Sequence, residues 1–458
     1  MQKMFEKYMA EVDRKAADVF GVSDGIWDHA EVAFTERVSS GLLSAALEKE
    51  GFAVTRGLAG IPTAFKATYG RGRPVLGILA EFDALQGLNQ EAGATEQKTI
   101  PGPDIGHGCG HNLFAGGSFG AALAVKAYLE DHPEKGSVVL FGCPGEENGA
   151  GKVYMARAGV FRDVDAVVSW HPEKMYMVRT RPSLALVTVK YSFHGIAAHA
   201  GGAPHLGRSA LDAVELMNVG ANFLREHMEL TSRIHYAIID AGGDAPNVVQ
   251  SHAAVRYIVR ASTLKEVLKL RERVDDIARG AALMTGTTVS WQQENGYSEL
   301  ITIPAMQQTA YEAMQDTPLP VPTEEENAFG RALQKTMPLE EMPETVYAEK
   351  LLPPAPPKPH GGSTDTADVS WFCPTVQMHI GTWAIGTPGH SWQAVSQGKS
   401  SYAHKAELYA AKSVAGTVLR LFEDPARLEK AKAEHREKTK GGYVCPIPDD
   451  VLPNIPQA

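Results

Sequence analysis

Val75-Leu76-Gly77-Ile78-Leu79-Ala80, closed by Glu81-Phe82-Asp83, is the stretch of sequence that best indicates the fold. A short apolar run that ends in polar residues is typical of a buried strand. Runs at 138–142 and 164–170 have the same character, and helical patterns at 116–129 and 153–158 lie between the strands. Strands that alternate with helices predict an α/β domain with a mostly parallel sheet and helices on both faces.

The sequence from about residue 184 has a different pattern. Residues 186–193 alternate between apolar and polar side chains, as in a strand with one buried face. Further helical and extended patterns follow at 209–226, 233–239, 253–262, 264–283 and 287–292. This strand-helix-strand-strand-helix-strand order predicts an inserted α+β domain of ferredoxin-like type. We therefore predict that residues 1–182 and 298–458 form one domain and residues 183–297 a second.

Length and composition limit the classes of protein that the chain can be. Its 458 residues exceed the size of one ordinary core, which agrees with two domains. The formal net charge of -10 argues against a nucleic-acid partner. Four cysteines are too few for a disulfide framework, and neither a secretion signal nor a membrane-spanning run is evident. These features predict a cytoplasmic protein without a membrane partner.

Two polar motifs follow strand-like runs. In His107-Gly108-Cys109-Gly110-His111-Asn112, small glycines allow a sharp turn that brings a thiolate and an imidazole together. A buried cysteine beside an ordinary histidine explains this motif equally well. Glu146 and Glu147 are adjacent carboxylates, so that one can bind a metal while the other takes a proton from water. An isolated pair of this kind is more often a solvated acidic turn.

Two histidines lie at similar positions in the predicted fold. His171 follows the strand at 164–170, and His390 lies in a glycine-rich turn near the end of the chain. Each alone is more often a structural histidine than a ligand. Together with the two motifs above, however, they complete the carboxylate, thiolate and imidazole set that a closely spaced pair of divalent metals requires.

The order of these residues resembles the peptidase M20 superfamily, in the amidohydrolase branch that contains aminoacylases, auxin-conjugate hydrolases and p-aminobenzoyl-glutamate hydrolases. The pattern is carried by Cys109, His111, Glu146, Glu147, His171 and His390. The resemblance implies that Cys109 bridges two metals, that His111, Glu147, His171 and His390 complete the ligands, and that Glu146 is the general base and later the acid. Asn112 departs from the family, since many relatives have aspartate there.

The resemblance also implies an activity and its partners. The substrate would be an N-acyl amino acid, and the motif at 107–112 together with the tail at 441–448 favours p-aminobenzoyl-glutamate. Two divalent cations are implied, with manganese favoured by this branch and zinc as the alternative because of the thiolate. The chain would pair as a homodimer, or as a heterodimer with a related chain. Two alternatives remain: an aminohydrolase that releases ammonia from an aromatic amine, and a non-catalytic subunit.

In relatives the inserted domain mediates dimerisation and closes over the active site as a lid. By resemblance, His199 would stabilise the oxyanion in a neighbouring subunit's site, while Asn247 and Arg260 would hold the substrate carboxylate. An exposed loop histidine, a turn asparagine and a solvated arginine are the alternative interpretations. Glu81 and Asp83 are expected to lie around the metal ligands rather than among them. The same holds for His107, Ser363 and Asp365.

Overall fold

A computed structural model describes residues 2–356 and 361–456 of the chain. In chain order its helices are α1 (Gln2–Arg14), α2 (Ala16–Asp28), α3 (Arg37–Lys49), α4 (His111–Asp131), α5 (Gly151–Arg157), α6 (Ala210–Leu224), α7 (Leu264–Thr285), α8 (Pro304–Asp316), α9 (Glu324–Gln334), α10 (Thr366–Ser370), α11 (Trp392–Gln397), α12 (Ser401–Glu423) and α13 (Pro425–Lys438). Its strands are β1 (Ala53–Arg56), β2 (Phe65–Gly70), β3 (Val75–Glu81), β4 (Leu85–Gln86), β5 (Ile105–Gly106), β6 (Ser137–Cys143), β7 (Ala166–Glu173), β8 (Met177–Val178), β9 (Ala185–His194), β10 (Arg233–Asp240), β11 (His252–Ala261), β12 (Thr288–Tyr297) and β13 (Thr375–Gly381).

The main sheet has seven strands in the order β1-β2-β6-β3-β7-β13-β8. Its four central strands, β6, β3, β7 and β13, are parallel, and antiparallel pairs flank them on both sides. The central strands are almost entirely buried, as expected for parallel strands with both faces covered. The predicted α/β fold with a mostly parallel sheet is confirmed.

Helix α4 forms the centre of the helical layer, packed against β3, β6, β7 and α12. Its sequence predicts a helix only from residue 116, but the helix begins at His111. Gly116 and Gly117, which lower intrinsic helix propensity, are required by packing: a Cβ on Gly117 would lie 2.6 Å from the Trp170 ring. Tertiary contacts therefore tolerate this glycine pair inside the helix and extend the helix over residues 111–115, which the sequence pattern does not predict as helical.

The second sheet consists of β10, β11, β9 and β12 in that order, with every pair antiparallel. Helices α6 and α7 pack against it and bury a hydrophobic cluster that is separate from the main core. The strand-helix-strand-strand-helix-strand order with this sheet order is ferredoxin-like, as expected from the sequence. The exact domain boundaries at residues 182–183 and 297–298 stay predictions.

Residues 85–110 form a long connection whose regular structure is the pair of two-residue strands β4 and β5. None of the helices in the described ranges has the length and apolar character needed to cross a membrane.

Candidate metal centre

Polar side chains from several loops meet at one edge of the main sheet. Cys109 lies in the turn before α4, Glu146 and Glu147 follow β6, His171 lies near the end of β7, and His390 lies in the loop after β13. Because the central strands are parallel, their carboxyl ends share an edge, and ligands typically bind there. The structure thus brings together residues that are almost three hundred positions apart in the chain.

The turn that carries Cys109 depends on its two flanking glycines. Gly110 has a φ of 71° and precedes the first residue of α4. A Cβ on Gly110 would lie 2.9 Å from Pro172, and one on Gly108 would lie 2.4 Å from the Leu88 side chain. The backbone N–H of His390 also donates to the Gly108 carbonyl, at 3.1 Å. Close backbone approach therefore places the Cys109 turn beside the His390 loop.

Two groups of ligand atoms share the sulfur of Cys109. One group is Cys109, His111 and His171, and the other is Cys109, Glu147 and His390. Within each group the atoms lie within 4.8 Å of one another. The Cys109 Sγ is 3.4 Å from His171 Nε2, and His390 Nε2 is 3.3 Å from Glu147 Oε1. Two adjacent groups with one common atom have the arrangement that a bridged pair of cations requires.

The imidazoles of His111 and His171 are oriented by hydrogen bonds on their far side. His111 Nδ1 lies 2.9 Å from Asp83 Oδ1, and His171 Nδ1 lies 2.7 Å from the Pro172 carbonyl. Each Nδ1 therefore donates its proton away from the cluster and leaves Nε2 facing Cys109. His111 Nε2 is buried and makes no hydrogen bond of acceptable geometry to the described residues, although Glu81 Oε2 is 3.2 Å away.

Asp83 holds two parts of the cluster at once. Its Oδ1 accepts from His111, and its Oδ2 accepts from the backbone N–H of Glu147 at 3.0 Å. Burial alone would raise the pKa of Asp83, but the His111 ring opposes this, and the pKa of Asp83 falls below its ordinary value. Asp83 thus lies next to the predicted ligands without being in either group, as its position after β3 suggested.

The donor set fits divalent cations. Burial raises the pKa of the Cys109 thiol well above its ordinary value, and the Glu147 carboxylate raises it further. A thiolate beside a carboxylate in so enclosed a cluster needs positive charge, which a coordinated cation supplies. The atoms His111 Nε2 and Glu147 Oε1 are buried and have no hydrogen bond of acceptable geometry in the described part of the chain. Imidazole, thiolate and carboxylate together suit zinc or manganese.

Glu146 diverges from Glu147 even though the two are adjacent. One of its carboxylate oxygens groups with His111 and Glu81 rather than with His390. The hydroxyl of Tyr297 donates to the Glu146 carbonyl at 3.1 Å, which fixes this turn against the end of β12. Burial raises the pKa of Glu146 well above its usual value, and the negative charges of Glu81 and Asp365 add to the effect.

Behind Glu146 lies a fully buried charged network, in which Glu81 and Asp365 were expected near the site from the sequence but Lys152 was not. Lys152 Nζ is 2.5 Å from Asp365 Oδ1 and 2.7 Å from Glu81 Oε1. The Lys152 backbone N–H also donates to Asp365 Oδ2 at 2.9 Å. In sequence, Lys152 is an ordinary helix lysine, because its partners are 71 and 213 positions away (152 − 81 and 365 − 152).

A cavity of about 430 Å³ opens onto the cluster. Its lining includes Cys109, Glu146, Glu147, His171 and His390, together with Ser363 and Thr364. On the same lining are Met175, Met177, Arg179, Arg181 and Gln377, none of which the sequence singled out. Both of the predicted polar motifs and both predicted histidines therefore face one open space of substrate size.

The three residues of the second domain lie differently. His199 and Asn247 are exposed and do not line the cavity. The backbone N–H groups of Gly201 and Gly202 donate to His199 Nδ1 at 3.1 and 3.0 Å, so the neutral ring carries its proton on Nε2. Arg260 is half-buried, and its Nη1 donates to Ser363 Oγ at 2.8 Å, on the cavity lining.

The remaining neighbours of the Cys109 turn have structural contacts. His107 is buried and bonds through Nε2 to the Ile26 carbonyl at 3.1 Å; burial lowers its pKa to about 4. Asn112 is buried, and its Nδ2 donates to the Gly398 carbonyl at 2.9 Å. Asn112 is in neither ligand group and its hydrogen bond goes to Gly398. The asparagine at this position, where many relatives have aspartate, therefore removes no member of either group.

Comparison with known proteins places these features in a family. The model of peptidase family M20/M25/M40 matches residues 77–420. The chain is 43% identical to a subunit of p-aminobenzoyl-glutamate hydrolase from Escherichia coli (strain K12), covering 94% of this chain and 95% of the relative. It is 30% identical to Xaa-Arg dipeptidase of Mus musculus, covering 93% and 91%. The crystal structure of the aminobenzoyl-glutamate utilization protein from Klebsiella pneumoniae has the same fold, with a TM-score of 0.59, 17% identity and coverage of 88% and 96%.

Proposed function

Since the chain belongs to peptidase family M20/M25/M40, we propose that it is a two-metal amidohydrolase that cleaves the amide bond of an N-acyl amino acid. The predicted family resemblance is confirmed, and the chain is a hydrolase of this family. The observation that best supports a two-metal site is that Cys109 belongs to both ligand groups.

In this proposal His111 and His171 would hold one cation, Glu147 and His390 would hold the other, and Cys109, which belongs to both groups, would be a ligand to each. When bound, two divalent cations supply Lewis-acid polarisation of the scissile carbonyl and acidify water. We favour manganese, as the branch resemblance implies, with zinc as the alternative. Asp83 keeps the His111 ring and the Glu147 backbone in the orientation that ligation needs.

Glu146 performs the proton transfers. Its carboxylate faces the cavity and is not a member of either group that contains Cys109. It accepts a proton from the attacking water at a carboxylate oxygen and returns that proton to the nitrogen of the leaving amine. Because the adjacent Glu147 points toward His390, one glutamate binds metal while the other remains available for the proton.

The substrate class follows from the relatives and from the cavity. The Escherichia coli relative is named for p-aminobenzoyl-glutamate, an aromatic acyl group joined to an acidic amino acid. The cavity has thioether side chains at Met175 and Met177, which suit an aromatic ring, and arginines at its wall. We therefore take p-aminobenzoyl-glutamate as the leading substrate.

Product analysis tests this function. The purified chain alone, supplied with manganese, is expected to release p-aminobenzoate and glutamate from p-aminobenzoyl-glutamate, as measured by chromatography. Release of ammonia with the amide bond intact would instead identify an aminohydrolase. Activity that appears only after addition of a related chain would show that this chain is not catalytic by itself.

A second chain completes the site in this proposal. His199 presents Nε2–H as a donor, which suits stabilisation of an oxyanion, yet the residue is exposed and outside the cavity of its own chain. The Escherichia coli relative is named as one subunit of its enzyme, which supports assembly. We therefore assign His199 to the site of a partner chain, either a second copy or a related protein, with Asn247 and Arg260 holding the substrate carboxylate.

Complementation between two inactive variants tests the exchange of His199 between copies. His199→Ala is expected to lower kcat by about 10²- to 10³-fold, the usual cost of one oxyanion donor. When His199→Ala and Glu146→Gln are expressed together, each mixed dimer contains one site with both residues intact and one with neither, so activity should rise well above that of either variant while staying below that of the wild type. Mixtures that stay as inactive as either variant would contradict exchange between copies.

A further inference from the structure

Arg179 is a charged group on the cavity wall that the proposed reaction does not use. It follows β8, the short strand that pairs with β13, and it lines the same cavity as Cys109 and Glu146. The Arg179 backbone N–H donates to the Gln377 carbonyl at 2.9 Å, and Nη1 donates to Gln377 Oε1 at 2.8 Å. Gln377 is itself buried on β13. The guanidinium is therefore held in place before any ligand arrives.

The hydrogen-bond partners of the Arg179 side chain are neutral. Nη1 bonds to the Gln377 side-chain carbonyl, and Nε bonds to the Arg181 backbone carbonyl at 3.4 Å. No ion pair of Arg179 is found in the ranges that the structure describes. Burial lowers the pKa of Arg179, whereas Glu146 and Glu173 favour its charged form without forming an ion pair with it. A partly buried arginine that has no ion pair with a carboxylate of the described residues is unusual, because a charge away from water is normally paired.

The surroundings indicate what this guanidinium can bind. Arg181 and Lys174 line the same cavity, so Arg179 is accompanied by two further cations on a lining that also carries the carboxylates of Glu146, Glu147 and Glu173. A planar guanidinium suits the two oxygens of a carboxylate, and such charge-assisted bonds are strong where water is excluded. Arg260 comes from the second sheet and reaches the same lining through its bond to Ser363, whereas Arg179 is held by Gln377. The two guanidiniums therefore have different partners and can bind different carboxylates.

We infer that Arg179, held by Gln377, binds the side-chain carboxylate of the substrate's amino acid and so selects acidic over neutral N-acyl amino acids. This inference rests on the proposed amidohydrolase function and adds a specificity residue to it. The α-carboxylate, which every N-acyl amino acid carries, is left to the residues of the second domain. Arg179 is thus a binding residue for one class of substrate, not part of the proton transfers.

A matched substrate pair tests the assignment. p-Aminobenzoyl-glutamate and p-aminobenzoyl-glutamine have nearly the same shape and the same α-carboxylate, but only the first has a charged side chain. The wild-type chain should hydrolyse the glutamate compound with a kcat/KM at least about tenfold higher, the lower end of what a hydrogen bond to a charged group contributes. Arg179→Met should bring the ratio of the two kcat/KM values close to one, mainly by loss on the glutamate compound.

Two further variants make the test specific. Lys174→Met removes a different cation from the same wall and should change the ratio less than about twofold, since long-range charge effects are weak beside a direct contact. Arg179→Lys keeps the charge but loses the planar fork, so a smaller fall in the ratio is expected. This variant provides the same comparison if Arg179→Met does not fold.

Each result leads to a definite conclusion. An unchanged ratio in Arg179→Met would overturn the assignment, because equal losses on both substrates would place the α-carboxylate at Arg179. A fall of the ratio in Lys174→Met as large as that in Arg179→Met would also overturn it. A wild-type chain that cleaves both compounds at equal rates would overturn the subsite alone. If the wild-type chain cleaves neither compound, the proposed function fails and the subsite fails with it.

Discussion

Replacing Glu146 by glutamine is expected to lower kcat by at least about 10²- to 10⁴-fold while both divalent cations stay bound. The glutamine has nearly the shape of glutamate but cannot accept the proton of the attacking water. Glu146 belongs to neither group that contains Cys109, but it lies in a third group with Glu81 and His111 that could also hold a cation. Because the proposal makes Glu146 the base and not a ligand, it predicts unchanged metal content, and loss of metal would place a cation at that third group. Steady-state kinetics and elemental analysis of the same sample measure the two quantities.

The adjacent residue provides the matched control. Glu147→Gln removes the same charge one position along the chain, but Glu147 groups with Cys109 and His390. This variant should lose one cation as well as activity. Substantial turnover in Glu146→Gln, or loss of metal from Glu146→Gln to the same extent as from Glu147→Gln, would show that the two glutamates do not have separate roles.

Replacing Cys109 by alanine should weaken the binding of both cations, because its sulfur is the only atom common to the two groups. The loss of activity should exceed the roughly 10- to 100-fold that removal of an outer-shell hydrogen bond costs. His171→Ala is the comparison, since His171 belongs to one group alone. After dialysis, elemental analysis should find little metal in Cys109→Ala and about one cation per chain in His171→Ala.

Two retained cations in Cys109→Ala would contradict a shared thiolate ligand. Equal metal loss in both variants would also contradict it, since the two sites would then depend on His171 as strongly as on Cys109. A melting curve of each variant, recorded with excess chelator, separates loss of metal from loss of fold. Under those conditions the wild-type chain and both variants should unfold at similar temperatures.

The sequence predicts the parts of the site that follow from strand order. Runs such as Val75–Glu81 identify parallel strands, and polar residues placed directly after them must share one edge of the sheet. Glu146, Glu147 and His171 were therefore predictable from residue type and position. Cys109, His111 and His390 lie in glycine-rich turns that do not directly follow a predicted strand, so residue type and the glycines indicated them. The resemblance to the M20 superfamily then suggested a role for each one, and these roles stay predictions.

Other parts of the site depend on contacts that no local pattern contains. Lys152 is a helix residue whose two partners come from distant segments, so its burial could not be foreseen. Arg179 follows a strand of only two residues, too short to be recognised, and its contact with Gln377 arises from strand pairing across the sheet. The sequence pattern also missed residues 111–115 of α4, because the predicted helix starts at Gly116 and packing against β3, β6, β7 and α12 extends it to His111.

In the proposed metal centre, two cations share the thiolate of Cys109. Anomalous diffraction from crystals of the wild-type chain grown with manganese measures this directly. The proposal predicts two anomalous peaks per chain, both within bonding distance of the Cys109 sulfur, one beside His111 and His171 and the other beside Glu147 and His390. A single peak, or two peaks of which only one is bonded to Cys109, would contradict it.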